Sequence, residues 1–86
     1  MNETEIIERI QAEYPGAIVD VNGEGCSFEV FIISDGFKPL NILKRQQSIL
    51  GLFQDELKTG KLHALSITAK TPEEQSGSAG LVQIKI

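Results

Sequence analysis

Apolar residues recur along this chain with more than one period, and the changes of period mark out its elements. Ile6, Ile7, Ile10 and Tyr14 fall at helical steps behind Asn2, which with Glu5 three residues later reads as a capping box. The pattern predicts a helix over about Glu3 to Tyr14, stopped by Pro15-Gly16. Ala17, Val19 and Val21 then alternate with Asp20 and Asn22 as a half-buried strand does, and Asn22-Gly23 supplies a hairpin turn signal. A second strand, rich in β-branched and aromatic residues, is expected from about Ser27 to Ile33. Gly23-Glu24-Gly25 forms the intervening loop and presents Cys26 at its edge.

Ser34-Asp35-Gly36 ends the hairpin, and Phe37-Lys38-Pro39 reads as an extended connector into a long helical region. There Ile42, Gln46, Ile49, Leu50, Phe53 and Leu57 form one stripe that packs on the sheet, leaving Lys44, Arg45, Gln47 and Ser48 on the solvent side. Gly51 costs a helix about 1 kcal/mol relative to Ala, so a break into two helices is expected there. Thr59-Gly60 stops the second helix. A third strand should run from about Leu62 to Ala69, with His63, Leu65, Ile67 and Ala69 on one face. A strand–helix–helix–strand crossover returns parallel to the strand it left, so the sheet is expected to be mixed. Thr71-Pro72-Glu73-Glu74 starts a further helix that the Ser76-Gly77-Ser78-Ala79-Gly80 stretch cuts within about one turn. Leu81 to Ile86 alternates like a strand that extends the sheet or pairs with another molecule.

Length and charge narrow the function. The 86 residues make one small domain with an aliphatic core and little room for a deep substrate cavity. The chain carries no Ser-His-Asp set, no phosphate loop and no zinc-ligand spacing, so an enzyme is not expected. One cysteine excludes an internal disulfide, the acidic first residues do not resemble a secretory signal, and no apolar run nears the roughly 20 residues of a membrane span. A cytoplasmic protein is expected. The net charge of −4 conceals an asymmetry: from Lys38 to Lys61 there are five basic residues against two acidic ones. Lys38, Lys44, Arg45, Lys58 and Lys61 are therefore candidate phosphate contacts, the basis of a nucleic-acid-binding alternative. Net acidity counts against it, as does the lack of a Gly-x-x-Gly clamp between the two helices of the 42–60 region.

The lone histidine and lone cysteine lie at predicted strand edges, where a pair of soft and borderline donors is half of a metal or iron–sulfur site that a partner completes. From the residues alone, His63 also reads as a core histidine, because it shares a strand face with Leu65 and Ile67. Cys26 also reads as an inert thiol.

Gly23-Glu24-Gly25-Cys26-Ser27-Phe28-Glu29-Val30, Ser34 to Phe37, Leu43-Lys44-Arg45-Gln46-Gln47, Lys61 to Ile67 and Thr71-Pro72-Glu73-Glu74 together resemble the BolA family, over roughly residues 3 to 75. Lys44-Arg45-Gln46-Gln47 looks most like the IbaG branch. The resemblance implies an α+β, type II KH-like domain with a three-stranded mixed sheet, and residues 76–86 as a tail departing from the family pattern. It implies a regulatory or iron–sulfur trafficking protein, monomeric or weakly dimeric alone, paired with a monothiol glutaredoxin through a shared [2Fe–2S] cluster. His63 would be one cluster ligand and Cys26, from the hairpin loop, a second. A glutaredoxin cysteine and glutathione would supply the rest. This chain has Ser27 where IbaG-like proteins place a histidine before the aromatic Phe28, so Cys26 sits one position earlier than that ligand. The family is also described as transcriptional regulators, which adds DNA as a possible partner.

Overall fold

Asn2 caps the first helix, α1 (Glu3–Glu13): its Oδ1 accepts the Glu5 amide at 2.9 Å, and Glu5 Oε1 accepts the Asn2 amide at 3.3 Å. This is the reciprocal box read from the sequence, and it fixes which face of the helix, Ile6 and Ile10, turns into the core. The structure, a computed structural model, describes residues 1–25 and 27–76. The strand expected over Leu81 to Ile86 lies outside them, as does Cys26.

Strand β1 (Ile18–Glu24) pairs antiparallel with β2 (Ser27–Ile33), from Ile18 opposite Ile33 to Glu24 opposite Ser27. The turn expected at Asn22-Gly23 is therefore displaced, because both residues remain in the ladder opposite Glu29 and Phe28. Gly23 is needed for another reason: at φ +132° a Cβ there would collide with the Ser27 carbonyl across the ladder. Gly25, at φ +66°, takes up the reversal.

Ser34 then caps a 3-10 turn, Asp35–Phe37, by accepting the Gly36 amide. The expected extended connector is thus a tight corner, which drives Phe37 into the core, fully buried beside the tilted ring of Tyr14. Asn41 caps α2 (Ile42–Leu52), and the break falls at Phe53, two residues after Gly51. Gly51 is exposed with open space around it, whereas the fully buried Phe53 leaves helical geometry. Anchoring Phe53 in the core, not the weakness of a glycine, ends α2. Helix α3 (Gln54–Thr59) ends on Gly60 in the left-handed conformation, as the sequence indicated.

Strand β3 (Ala64–Lys70) runs parallel to β2, and the sheet order β1-β2-β3 is mixed as expected. The side chains of Val21, Val30, Ile32 and Ile67 form the core under the helices, with Ile49 and Phe53 above them. The other face of the sheet carries Ile18, Asp20, Phe31, Ile33, Thr68 and Lys70. A helical turn at 72–76 follows, with Thr71 and Glu74 forming a second capping box. Among the described residues, no helix is long and apolar enough to cross a membrane.

Candidate functional site

The segment between α3 and β3 is pinned at both ends. Gly60 turns the chain, and the amide of the buried Leu62 donates to the Glu56 carbonyl at 3.0 Å. His63 follows immediately, one residue ahead of β3, and its side chain is exposed. The core-histidine alternative therefore fails: the strand begins at Ala64, so the alternation that buries Ile67 does not extend back to the imidazole. The ring leans over the α3 terminus, with Nε2 3.8 Å from where a Cβ on Gly60 would sit. Glycine at 60 is required by the left-handed turn, since a Cβ there would meet the ring only at ordinary contact distance.

The parallel register sets Ala64 directly beside Ser27. His63 precedes the first of that pair in sequence, and Cys26 precedes the second. A depression of about 280 Å³, lined by Ser27, Glu29, Ala64 and Ser66 among others, adjoins the paired strand starts on the open sheet face. Among the described residues, no three His, Cys, Asp or Glu side chains gather into a metal site. The donor set that this chain brings is therefore an exposed imidazole at a sheet end, with the thiol of Cys26 outside the described residues. An imidazole is a borderline donor suited to iron, and its exposure leaves it reachable by a second protein.

The basic residues do not form one surface. Arg45, read from the sequence as solvent-facing, is 6% exposed. Its Nε donates to the Leu40 and Phe37 carbonyls at 2.9 and 3.2 Å, and Nη1 donates to Ala69 O at 3.1 Å. Nη1 and Nη2 also grip the two Glu74 oxygens at 2.6 and 3.1 Å, so this residue is a structural clamp and not a phosphate contact. Gln46 acts beside it, donating to Ile67 O at 2.7 Å, and together they cover carbonyls along β3. Lys38 is exposed but lies 3.0 Å from Glu73 and 3.4 Å from Asp35, and the hydrogen bond to Glu73 is the main cause of its raised pKa. Lys44, Lys58 and Lys61 are exposed. Arg45 ties the start of α2 to the far end of β3, whereas Lys58 and Lys61 precede its beginning. The seven residues of β3 separate Lys44 from the other two by on the order of 20 Å at strand rise.

Sequence reasoning missed two carboxylates. Glu56 accepts from Arg9 at 2.7 Å, joining α3 to α1, and this hydrogen bond holds its pKa below the ordinary value. Glu74 is visible in the sequence as a capping residue, but its clamp to Arg45 is not, because the partner lies 29 residues away. That clamp, with the Thr71 amide, lowers the Glu74 pKa to about 2.

Comparison with known proteins adds to this geometry. The profile of a family described as BolA-like protein matches residues 5–74. SufE-like protein 1 of Arabidopsis thaliana is 55% identical over 47 residues, 55% of this chain and 12% of that protein, so the chain spans about an eighth of its length. Acid stress protein IbaG of Escherichia coli strain K12 is 34% identical over 56 residues, covering 65% of this chain and 67% of that one. Among solved structures, the BolA domain of SufE1 from Arabidopsis thaliana superposes with a TM-score of 0.76 at 36% identity, covering 86% of this chain and 98% of that domain.

Proposed function

This chain belongs to the BolA-like family, and on that premise we propose that it is a non-enzymatic regulatory and iron–sulfur trafficking adaptor whose His63 enters a [2Fe–2S] cluster shared with a monothiol glutaredoxin. The observation that carries the reading is the position of His63. It is the lone imidazole of the chain, it is exposed, and its backbone is held between a buried Leu62 and the first ladder pair of a parallel strand. A ligand shared between proteins needs both properties, accessibility and a fixed point of attachment. Cys26 is the second donor proposed from this chain, because it precedes Ser27, the partner of Ala64 in the register. The partner's cysteine and glutathione complete the set. The chemistry that the cluster supplies is redox-sensitive, labile iron–sulfur ligation. What this chain contributes is the imidazole, its orientation over Gly60, and the sheet end that the partner meets.

Anaerobic reconstitution with a monothiol glutaredoxin, glutathione, iron and sulfide, followed by visible absorption and circular dichroism, tests the reading. A mixed-complex spectrum that His63→Ala abolishes and Cys26→Ala alters is the expected result. Absence of a mixed complex, or a His63→Ala spectrum matching that of the wild type, would overturn it. Nucleic-acid binding has less support, since Arg45 is committed to the interior and Lys38 to two carboxylates. It becomes the reading to test if the cluster experiment fails, with salt-dependent oligonucleotide binding as the measurement.

A further inference from the structure

The sheet has helices on one face only, and one end of its other face is apolar. Ile18 is 65% exposed, Phe31 is 38% exposed, and Ile33 lies between them in the ladder sense, paired with Ile18. Two cavities meet at Ile33. One, of about 410 Å³, is bounded by Asp20, Phe31, Thr68, Lys70 and Gln75. The other, of about 520 Å³, continues past Ile18, Pro15 and Pro72 toward the carboxylates of Glu13 and Asp35. A contiguous apolar strip rimmed by charge is the form of a recognition surface.

Where the described chain stops decides among occupants. Gln75 itself lines the first cavity, so the described residues end, at Ser76, next to the rim of this face. Their sequence is Gly-Ser-Ala-Gly followed by Leu-Val-Gln-Ile-Lys-Ile. Four linker residues reach about 13 Å when extended, which spans the width of two to three strands at about 4.8 Å each. The six that follow alternate, putting Val82, Ile84 and Ile86 on one side of an extended segment. Lys85 is the single charged side chain among residues 77–86, and the rim offers Asp20, Glu13 and Asp35 against Lys70. The competing apolar spot on the described surface, Ile42 and Leu43 at 74% and 64% exposure, lies beside Lys44, whose charge is like that of Lys85.

We propose that residues 81–86 of this chain dock on the open face of its own sheet, with the Val82, Ile84 and Ile86 side covering Ile18, Phe31 and Ile33. The segment would bury an apolar surface at the sheet end opposite His63. Gln83 falls on the outward side of the segment, which makes it a place for a probe that leaves the contact and Lys85 intact.

A nitroxide on Gln83→Cys, in a Cys26→Ser background so that a single thiol reacts, reports the docking by paramagnetic broadening in nitrogen-15 spectra. Loss of most of the amide intensity at Ile18, Phe31, Ile33 and Thr68, with α1 amides retained, is the expected pattern. Restoration of that intensity in a Val82→Ser, Ile84→Ser, Ile86→Ser variant, and partial restoration in Lys85→Glu, would complete the case. A mixture of nitroxide-bearing unlabelled chain with label-free nitrogen-15 chain should show no broadening. Broadening in that mixture would assign the face to a second copy and overturn the proposal. Broadening centred on Ile42 and Leu43, or spread evenly over the domain, would overturn it as well.

Discussion

The Arg45 guanidinium donates to three backbone carbonyls and to both oxygens of Glu74, so its planar fork of donors is matched to acceptors on the corner after β2, on β3 and on the 72–76 turn. A lysine carries the charge but not the fork. Arg45→Ala is expected to lower unfolding stability by about 2–4 kcal/mol in urea titrations, with Arg45→Lys recovering only part of the loss. A change under about 0.5 kcal/mol, typical of a surface position, would show that the clamp is idle. Neither this residue nor His63 was fully legible in the sequence. Arg45 reads as solvent-facing because periodicity assigns faces by apolar neighbours and cannot see acceptors supplied by distant backbone. His63 reads as inward because the alternation of Leu65 and Ile67 extrapolates one step past the true start of the strand. The likeness to a family, carried by the Lys61 to Ile67 segment, kept it in view as a candidate ligand.

Two glycines in regular elements play opposite parts. Gly23 occupies a left-handed position in β1 against the Ser27 carbonyl, so Gly23→Ala should destabilise the hairpin by about 1–3 kcal/mol. Gly51 lies in α2 with free space around it, so Gly51→Ala should stabilise by about 0.5–1 kcal/mol. Thermal unfolding of the two variants, read side by side, checks both signs. The element order, the parallel return of β3 and the exact span of β2 were readable from periodicity and caps. What was not readable were the points where a side chain overrules a local signal. Phe53 moves the helix break away from Gly51, and Phe37 folds an apparent extended connector into a 3-10 corner. In each case burial of an aromatic ring outweighs the propensity of nearby residues.

Among the described residues, three ion pairs tie separate parts of the molecule together: Arg9 to Glu56 across α1 and α3, Lys38 to Glu73, and Arg45 to Glu74. Each carboxylate is held below its ordinary value of 4.5, first by the hydrogen bond from its basic partner, and Glu74 is held at about 2. A depressed carboxylate adds stability that is complete above its unfolded-state pKa and is lost as pH falls through its folded one. Urea midpoints should therefore hold above about pH 5 and decline toward pH 2, and Glu74→Gln should flatten the lowest part of that decline. An unchanged slope in Glu74→Gln would remove this carboxylate from the account. The β1–β2 pairing is between neighbours in sequence, whereas Ser27 finds Ala64 only after the whole α2–α3 crossover is in place. Hairpins close in about 1–10 μs, and non-local parallel pairing comes later because the loop entropy must be met first. The first strand start is thus laid down early and waits for the second. An imidazole held at that junction is assembled last, so a nascent or partly unfolded chain does not display it in register, and the time at which the protein becomes competent to meet a partner is set by the closing of its own sheet.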